Sequence, residues 1–161
     1  MIILNDKLKS DIEAHGVRDF PKECCGVLIG DFENGVKTVL EVRALPNSFA
    51  PSQEFEKSVL SEPSEMGDVS LVGQERRYMV SPDTMFQLMR EERKTGKKIL
   101  GFYHSHPNHP ALPSEFDRTW AMNWYTYIIV SIMNSKPANM TAWVLDQDSA
   151  FQPDEIQRGE I

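Results

Sequence analysis

Three of the chain's four histidines fall in one stretch, Leu100-Gly101-Phe102-Tyr103-His104-Ser105-His106-Pro107, which continues through Asn108-His109-Pro110-Ala111-Leu112-Pro113 to Ser114-Glu115-Phe116-Asp117. Ile99 to Tyr103 is apolar and aromatic and reads as a strand. On a strand residues i and i+2 face the same side, so His104 and His106 project together while Ser105 points the other way, to a structural position. Pro107, Pro110 and Pro113 end the strand and stiffen the path beyond it, because proline fixes φ and has no N–H to give a sheet. Ser114-x-x-Asp117 then opens a helix and returns a carboxylate toward the imidazoles. Two neutral imidazoles and one carboxylate make a metal site with an open fourth position, the arrangement that catalytic zinc uses; a structural zinc would draw on more cysteines.

Each part also has an ordinary reading. Ser114-x-x-Asp117 matches a capping box, in which a serine oxygen and an acid three residues later satisfy free N–H groups at a helix start. His104 and His106 would serve as polar residues at a strand end, Glu23 as a surface charge, and His109 as an exposed loop residue that lies near enough to touch a substrate. Cys24 and Cys25 are the only cysteines, and their adjacency gives neither a disulfide framework nor a C-x-x-C pair. They read as small buried residues at a strand start, with a nucleophilic thiol as the sharper alternative.

The elements that must position these residues follow from pattern. Asn5 caps a helix carrying Leu4, Leu8, Ile12 and His15 on one stripe, with Gly16 as a left-handed stop and His15 a partly exposed residue at the helix end. Cys25 to Gly30 is a continuous apolar run, as in a strand covered on both faces, and Asn34-Gly35 turns it into a second strand, Val36 to Leu45. From Pro46 to about Gln74 no period is sustained, which predicts a long loop; loops longer than roughly 12 to 15 residues in compact domains are usually lids or disordered. Arg77 to Val80 reads as a short strand. Ser81 and Pro82 start a helix that buries Met85, Phe86, Leu88 and Met89 and ends at Gly96. After the histidine strand come a helix from Ser114 through Trp120 to about Asn123, a strand from Tyr125 to Met133, a turn at Asn134 to Pro137 and a last strand from Ala138 to Asp146. The tail from Gln152 to Ile161 carries no readable pattern. Strands interleaved with three helices predict a three-layer α/β sandwich with a mixed sheet flanked by helices.

At 161 residues, 40% apolar and 25% charged, the chain is expected to form one soluble domain over residues 1–161. A formal charge of -7, with no basic patch, argues against nucleic acid as a partner. The longest apolar run falls far short of the roughly 18 residues a membrane helix needs, and Met1-Ile2-Ile3-Leu4 lacks the features of a signal peptide. The expected location is the cytoplasm, with no membrane partner.

Glu23 before Cys24-Cys25-Gly26, then His104-Ser105-His106-Pro107, then Ser114-Glu115-Phe116-Asp117 resembles the JAMM (MPN+) metalloproteases, small bacterial and archaeal type. The pattern is a glutamate followed far downstream by H-[ST]-H-P and S-x-x-D, and the seven residues between His106 and Ser114 fit its spacing. Ile99-Leu100-Gly101-Phe102-Tyr103 and Tyr127-Ile128-Ile129-Val130-Ser131 extend the likeness over most of the chain outside Phe49 to Gly73 and the tail. The resemblance implies a cytidine-deaminase-like sandwich and Zn²⁺ held by His104, His106 and Asp117. It makes Glu23 the general base and then acid, and Ser114 a donor to the oxyanion, in place of a simple cap. It implies cleavage of an amide or isopeptide bond after the C-terminal Gly-Gly of a ubiquitin-like protein or a ThiS/MoaD-type sulfur carrier. The substrate channel would draw on the Phe49 to Gly73 loop, Trp120 and Trp124. The rival from another class is a non-catalytic scaffold or binding module; a nucleobase deaminase is disfavoured because P-C-x-x-C is absent.

Overall fold

The apolar run after Cys25 becomes the inner strand of a single mixed sheet. A computed structural model describes residues 1–49 and 77–159; the loop expected at 46–74 therefore lies mostly outside the described residues. Among these residues eight strands pair: β1 (Ile2–Leu4), β2 (Cys25–Glu33), β3 (Val36–Leu45), β4 (Lys98–Pro107), β5 (Thr126–Met133), β6 (Lys136–Leu145), β7 (Phe151–Asp154) and β8 (Ile156–Arg158). Their order is β7-β6-β5-β4-β2-β3-β1-β8. β4 pairs with β5, and β1 with both β3 and β8, in parallel; the remaining pairs are antiparallel. Helix α1 (Asp6–Asp19) covers one face, α2 (Pro82–Thr95) the other, and the short α3 (Glu115–Trp120) connects β4 to β5. This is the expected three-layer α/β sandwich.

Two apolar clusters fill the layers. Ile2, Leu8, Ile12, Leu28, Leu100, Ile128 and Val130 pack under α1, and Val27, Ile29, Leu88, Ile99, Phe102 and Tyr127 under α2. Strict alternation would place Ile99 and Phe102 on opposite faces. The β2–β4 register shifts between Leu28 and Ile29, whose partners are Gly101 and Ile99, so Leu100 is an extra residue. Such a bulge re-aims the side chains beyond it. Past it, Phe102, His104 and His106 share the α2 face, and Tyr103 and Ser105 share the α1 face. Gly26 is what Tyr103 requires: a Cβ there would stand 2.2 Å from the ring.

Several expectations are corrected. Gly16 does not stop α1, which runs on to Asp19; it is buried within the helix, where a Cβ would meet Ile132 at 2.9 Å. His15 is buried, hydrogen-bonded through Nδ1 to the Tyr103 hydroxyl (2.9 Å) and through Nε2 to Asp19 (3.1 Å). Leu4 belongs to β1, not to the helix. On α2 only Leu88 is buried, while Phe86 is 63% and Met89 45% exposed. Arg77 to Val80 forms no strand, because the Met79 N–H is taken by the Asn47 side chain (3.2 Å) rather than by a ladder. Helix α3 ends at Trp120, β6 begins at Lys136 after a turn with positive φ at Asn134 and Ser135, and the tail supplies β7 and β8.

Candidate metal centre

Strand β4 carries His104 and His106 on one face to its C-terminal end, where both are buried. Proline-rich residues 107–113 turn the chain back, and Ser114 starts α3 as an N-cap with Asp117 at the third position. The outcome is a close triad. His104 Nε2 stands 3.1 Å from His106 Nε2 and 3.1 Å from Asp117 Oδ1, and His106 Nε2 is 3.5 Å from Asp117 Oδ2. A tetrahedral site with ligands about 2.0–2.1 Å from the ion needs ligand atoms about 3.3 Å apart, so this triangle is the size of one tetrahedral face. Among the described residues, these three form the cluster able to hold a metal.

The surroundings prepare each donor. The His106 Nδ1–H donates to the Pro110 carbonyl (2.9 Å), which leaves the Nε2 lone pair facing the cluster. Burial pushes the pKa of His104 down, favouring the neutral imidazole a cation needs. Burial pushes that of His106 down too, but Asp117, the Pro110 carbonyl and Glu23 outweigh it and the net shift is upward. Asp117 is held well below the usual carboxylate range: burial acts upward, and the two imidazoles and the Ser114 N–H overcome it. Tyr78 stacks on the His104 ring, centroids 4.4 Å apart and planes 23° apart. His104 Nδ1 is buried without a hydrogen-bond partner among the described residues.

Glu23 reaches the same place from the segment that leads into β2. The β2–β4 pairing sets Cys25 opposite His104, and the Ser105 N–H donates to the Cys24 carbonyl (3.1 Å). Continuing that register sets Glu23 level with His106, and cross-strand neighbours share a face. Its carboxyl is buried, and loss of water pushes its pKa up to about 8, His106 and Arg77 opposing and Asp117 reinforcing. The Asn47 side chain fixes the segment: Nδ2 donates to the Glu23 carbonyl (3.2 Å) and the Arg77 carbonyl (2.9 Å).

Ser114 is a full capping box here. Its N–H and hydroxyl donate to Asp117 Oδ2 (2.7 and 2.8 Å), and its Oγ accepts from the Asp117 N–H (3.1 Å). His109 is exposed on the loop, with its carbonyl accepting from Ser131 Oγ at 2.5 Å. Trp120 ends α3 beside Phe116. Trp124 is not brought to the cluster: it packs edge-on against Phe32 and under Lys37, at the opposite end of the strands. Both cysteines are buried, and burial pushes the Cys24 thiol up to about 11 and Cys25 to about 12, which removes the thiolate nucleophile reading. No local spacing reveals Tyr78, Arg77 and Asn47, because their contacts join residues far apart in sequence: Asn47 with Glu23, Arg77 and Met79, and Tyr78 with His104.

Residues 5–146 match the family model described as prokaryotic homologs of the JAB domain. A desampylase of Haloferax volcanii is 29% identical over 128 residues, 78% of this chain and 74% of that protein. A protein of Desulfitobacterium hafniense, solved in solution, superimposes with a TM-score of 0.74 at 26% identity, covering 100% of this chain and 94% of its own. A JAB1/MPN domain protein of Archaeoglobus fulgidus shares the fold, with a TM-score of 0.55, 19% identity and coverage of 99% and 100%. With the matched span taking in the glutamate, both histidines, the serine and the aspartate, the chain belongs to the prokaryotic JAB-domain family.

Proposed function

We propose that the chain is a zinc-dependent peptidase that cleaves the amide or isopeptide bond after the C-terminal Gly-Gly of a ubiquitin-like or ThiS/MoaD-type sulfur-carrier protein. The observation that carries this reading is a triangle of imidazole and carboxylate donors with tetrahedral edge lengths beside a buried carboxyl whose pKa is raised to about 8. Likeness to a protein named desampylase supports removal of a small protein modifier.

His104, His106 and Asp117 would hold the zinc ion. The chemistry zinc supplies when bound at such a site is Lewis acidity, which acidifies water to a pKa near 7 and polarises a carbonyl oxygen. Glu23 takes the proton of the attacking water and delivers it to the departing amine, a task for which a pKa near the working pH is suited. Ser114 turns its hydroxyl proton from Asp117 Oδ2 to the oxyanion, while its N–H keeps Asp117 oriented. A Gly-Gly tail suits a narrow approach because it has no side chains, and an extended tail can pair beside a strand.

The test uses zinc-loaded protein and a carrier extended beyond Gly-Gly. Glu23→Gln is expected to retain zinc and to lose cleavage by about 10²- to 10⁴-fold. Equal turnover by that variant, or turnover surviving complete chelation, would overturn the proposal.

A further inference from the structure

Next to the ligand triangle, on the α2 face of the sheet, lies a cavity of about 160 Å³. Phe102 and Tyr127 of the sheet form its floor, Met85 of α2 one side, and Phe116 and Trp120 of α3 the other. Asp117 and Tyr78 line it too, and these are the residues that touch His104. The cavity therefore adjoins the candidate metal centre and shares Asp117 with it. Phe102 precedes His104 by two residues on β4, which sets the cavity roughly 7 Å along the strand from the imidazole.

Its chemistry selects the guest. The Tyr127 hydroxyl already accepts from the Met122 N–H (2.7 Å), and the Asp117 carboxylate is engaged by Ser114 and the imidazoles. Among the described residues the walls are mainly aromatic and thioether, so a polar guest would give up water for them at a cost. An apolar guest gains, and the unbranched Met85 and Met122 can adapt to its outline. In size, apolar cavities of about 150 Å³ are known to admit a benzene ring.

We infer that, where the cleaved bond is an α-peptide amide, this cavity is the subsite for the first residue on its leaving side, and that this residue carries an apolar side chain of leucine, methionine or phenylalanine size. The inference rests on the peptidase reading above, under which the two residues on the acyl side are glycines. They have no side chain to place there. The side chain nearest the reacting carbonyl then belongs to the amine being released.

The full zinc-loaded chain is tested on peptides of a carrier tail ending Gly-Gly-X, with X as Phe, Leu, Gly or Lys. Phe and Leu are expected to exceed Gly in kcat/KM by about 10- to 100-fold, the range one apolar pocket can discriminate. Met85→Trp fills the cavity and is expected to bring the Phe:Gly ratio close to one, whereas Met85→Ala shifts preference toward larger X. A second measurement needs no turnover: in chain labelled with ¹³C at the methionine methyls, N-acetylphenylalanine amide is expected to shift Met85 and Met122, and N-acetylglycine amide to leave them in place. Cleavage without preference for X and with silent methyls would overturn the inference while leaving the peptidase reading intact. Shifted methyls with no cleavage of any peptide would overturn the peptidase reading and support the cavity as an apolar side-chain site. Preference confined to the residue before Gly-Gly would overturn the leaving-side assignment.

Discussion

Glu23 is a carboxyl that the fold has made hard to ionise, and this has a consequence for stability as well as for proton transfer. Its pKa is pushed up to about 8, against an ordinary value of 4.5, chiefly by loss of water. A carboxyl raised in this way contributes stability that is fully present below pH 4.5 and is lost as pH rises toward 8, because the unfolded chain releases the proton first. In chelated protein, unfolding free energy is expected to fall between about pH 5 and 8 by on the order of a few kcal/mol. Glu23→Gln should abolish that component, and denaturant titrations at several pH values check it; parallel curves for the two proteins would refute the assignment. The grouping of His104, His106 and Asp117 was legible because H-x-H on a strand and S-x-x-D at a helix start each encode a direction. The balance between the two duties of Ser114 was not. Its hydroxyl faces Asp117 Oδ2 at 2.8 Å, and a capping box and an orienting bond to a metal ligand leave the same sequence trace.

At the scale of elements, the proline-rich loop is held by its carbonyls rather than by a core of its own. Three consecutive carbonyl oxygens are clasped: His109 by Ser131 Oγ of β5 (2.5 Å), Pro110 by His106 Nδ1 (2.9 Å) and Ala111 by Thr141 Oγ1 of β6 (2.5 Å). Trp143 Nε1 donates to the same Thr141 oxygen (2.8 Å), which aims the hydroxyl proton at the loop. Two strands thus fix the carbonyl that orients His106. Thr141→Val, close in shape but without the hydroxyl, is expected to weaken zinc binding by about 10-fold, in line with the usual cost of losing outer partners of a ligand. Thr141→Ser should restore it. Competition with a chromogenic chelator reads the affinity, and an unchanged constant for the valine variant would show that the clasp is dispensable. Sequence pattern recovered β2, β4 and β5 from their apolar runs, and β3, which polar residues interrupt, from the Asn34-Gly35 turn before it. It misplaced the end of α1, since Gly16 inside a helix and Gly16 after one look alike until Ile132 is seen to need the space. It missed β7 and β8 because short edge strands, with no fully buried position, bury too little to leave a pattern.

Across the described residues, the sheet separates two charged neighbourhoods, the candidate metal centre at one end of β4 and a buried lysine at the other. Lys37 of β3 reaches over β2 and β4, which lie between it and β5, and its ammonium donates to the Trp124 carbonyl (2.7 Å) and Thr126 Oγ1 (2.9 Å). The Trp124 ring lies 5.4 Å away, and the side chain is only 8% exposed. Burial pushes its pKa down to about 8 from 10.5, with Asp154 opposing. For a base depressed in this way the cost of holding the charge is constant below pH 8 and is relieved as pH rises from 8 to 10.5, where the unfolded chain binds more protons than the folded one. Folding stability is therefore expected to gain a rising component over that window, on the order of 2 to 3 kcal/mol. Ionising cysteines and tyrosines act in the opposite sense at the upper end, so the quantity to compare is the difference between wild type and Lys37→Met. That difference should change across pH 8 to 10.5 and stay level from pH 6 to 7.5, as read by chemical denaturation. The same variant should bind zinc with unaltered affinity, because no strand-end contact of Lys37 reaches His104, His106 or Asp117. A pH-independent difference would mean that Lys37 keeps an ordinary ammonium despite its burial, and a weakened metal site would mean that the two ends of the sheet are coupled through the strands between them.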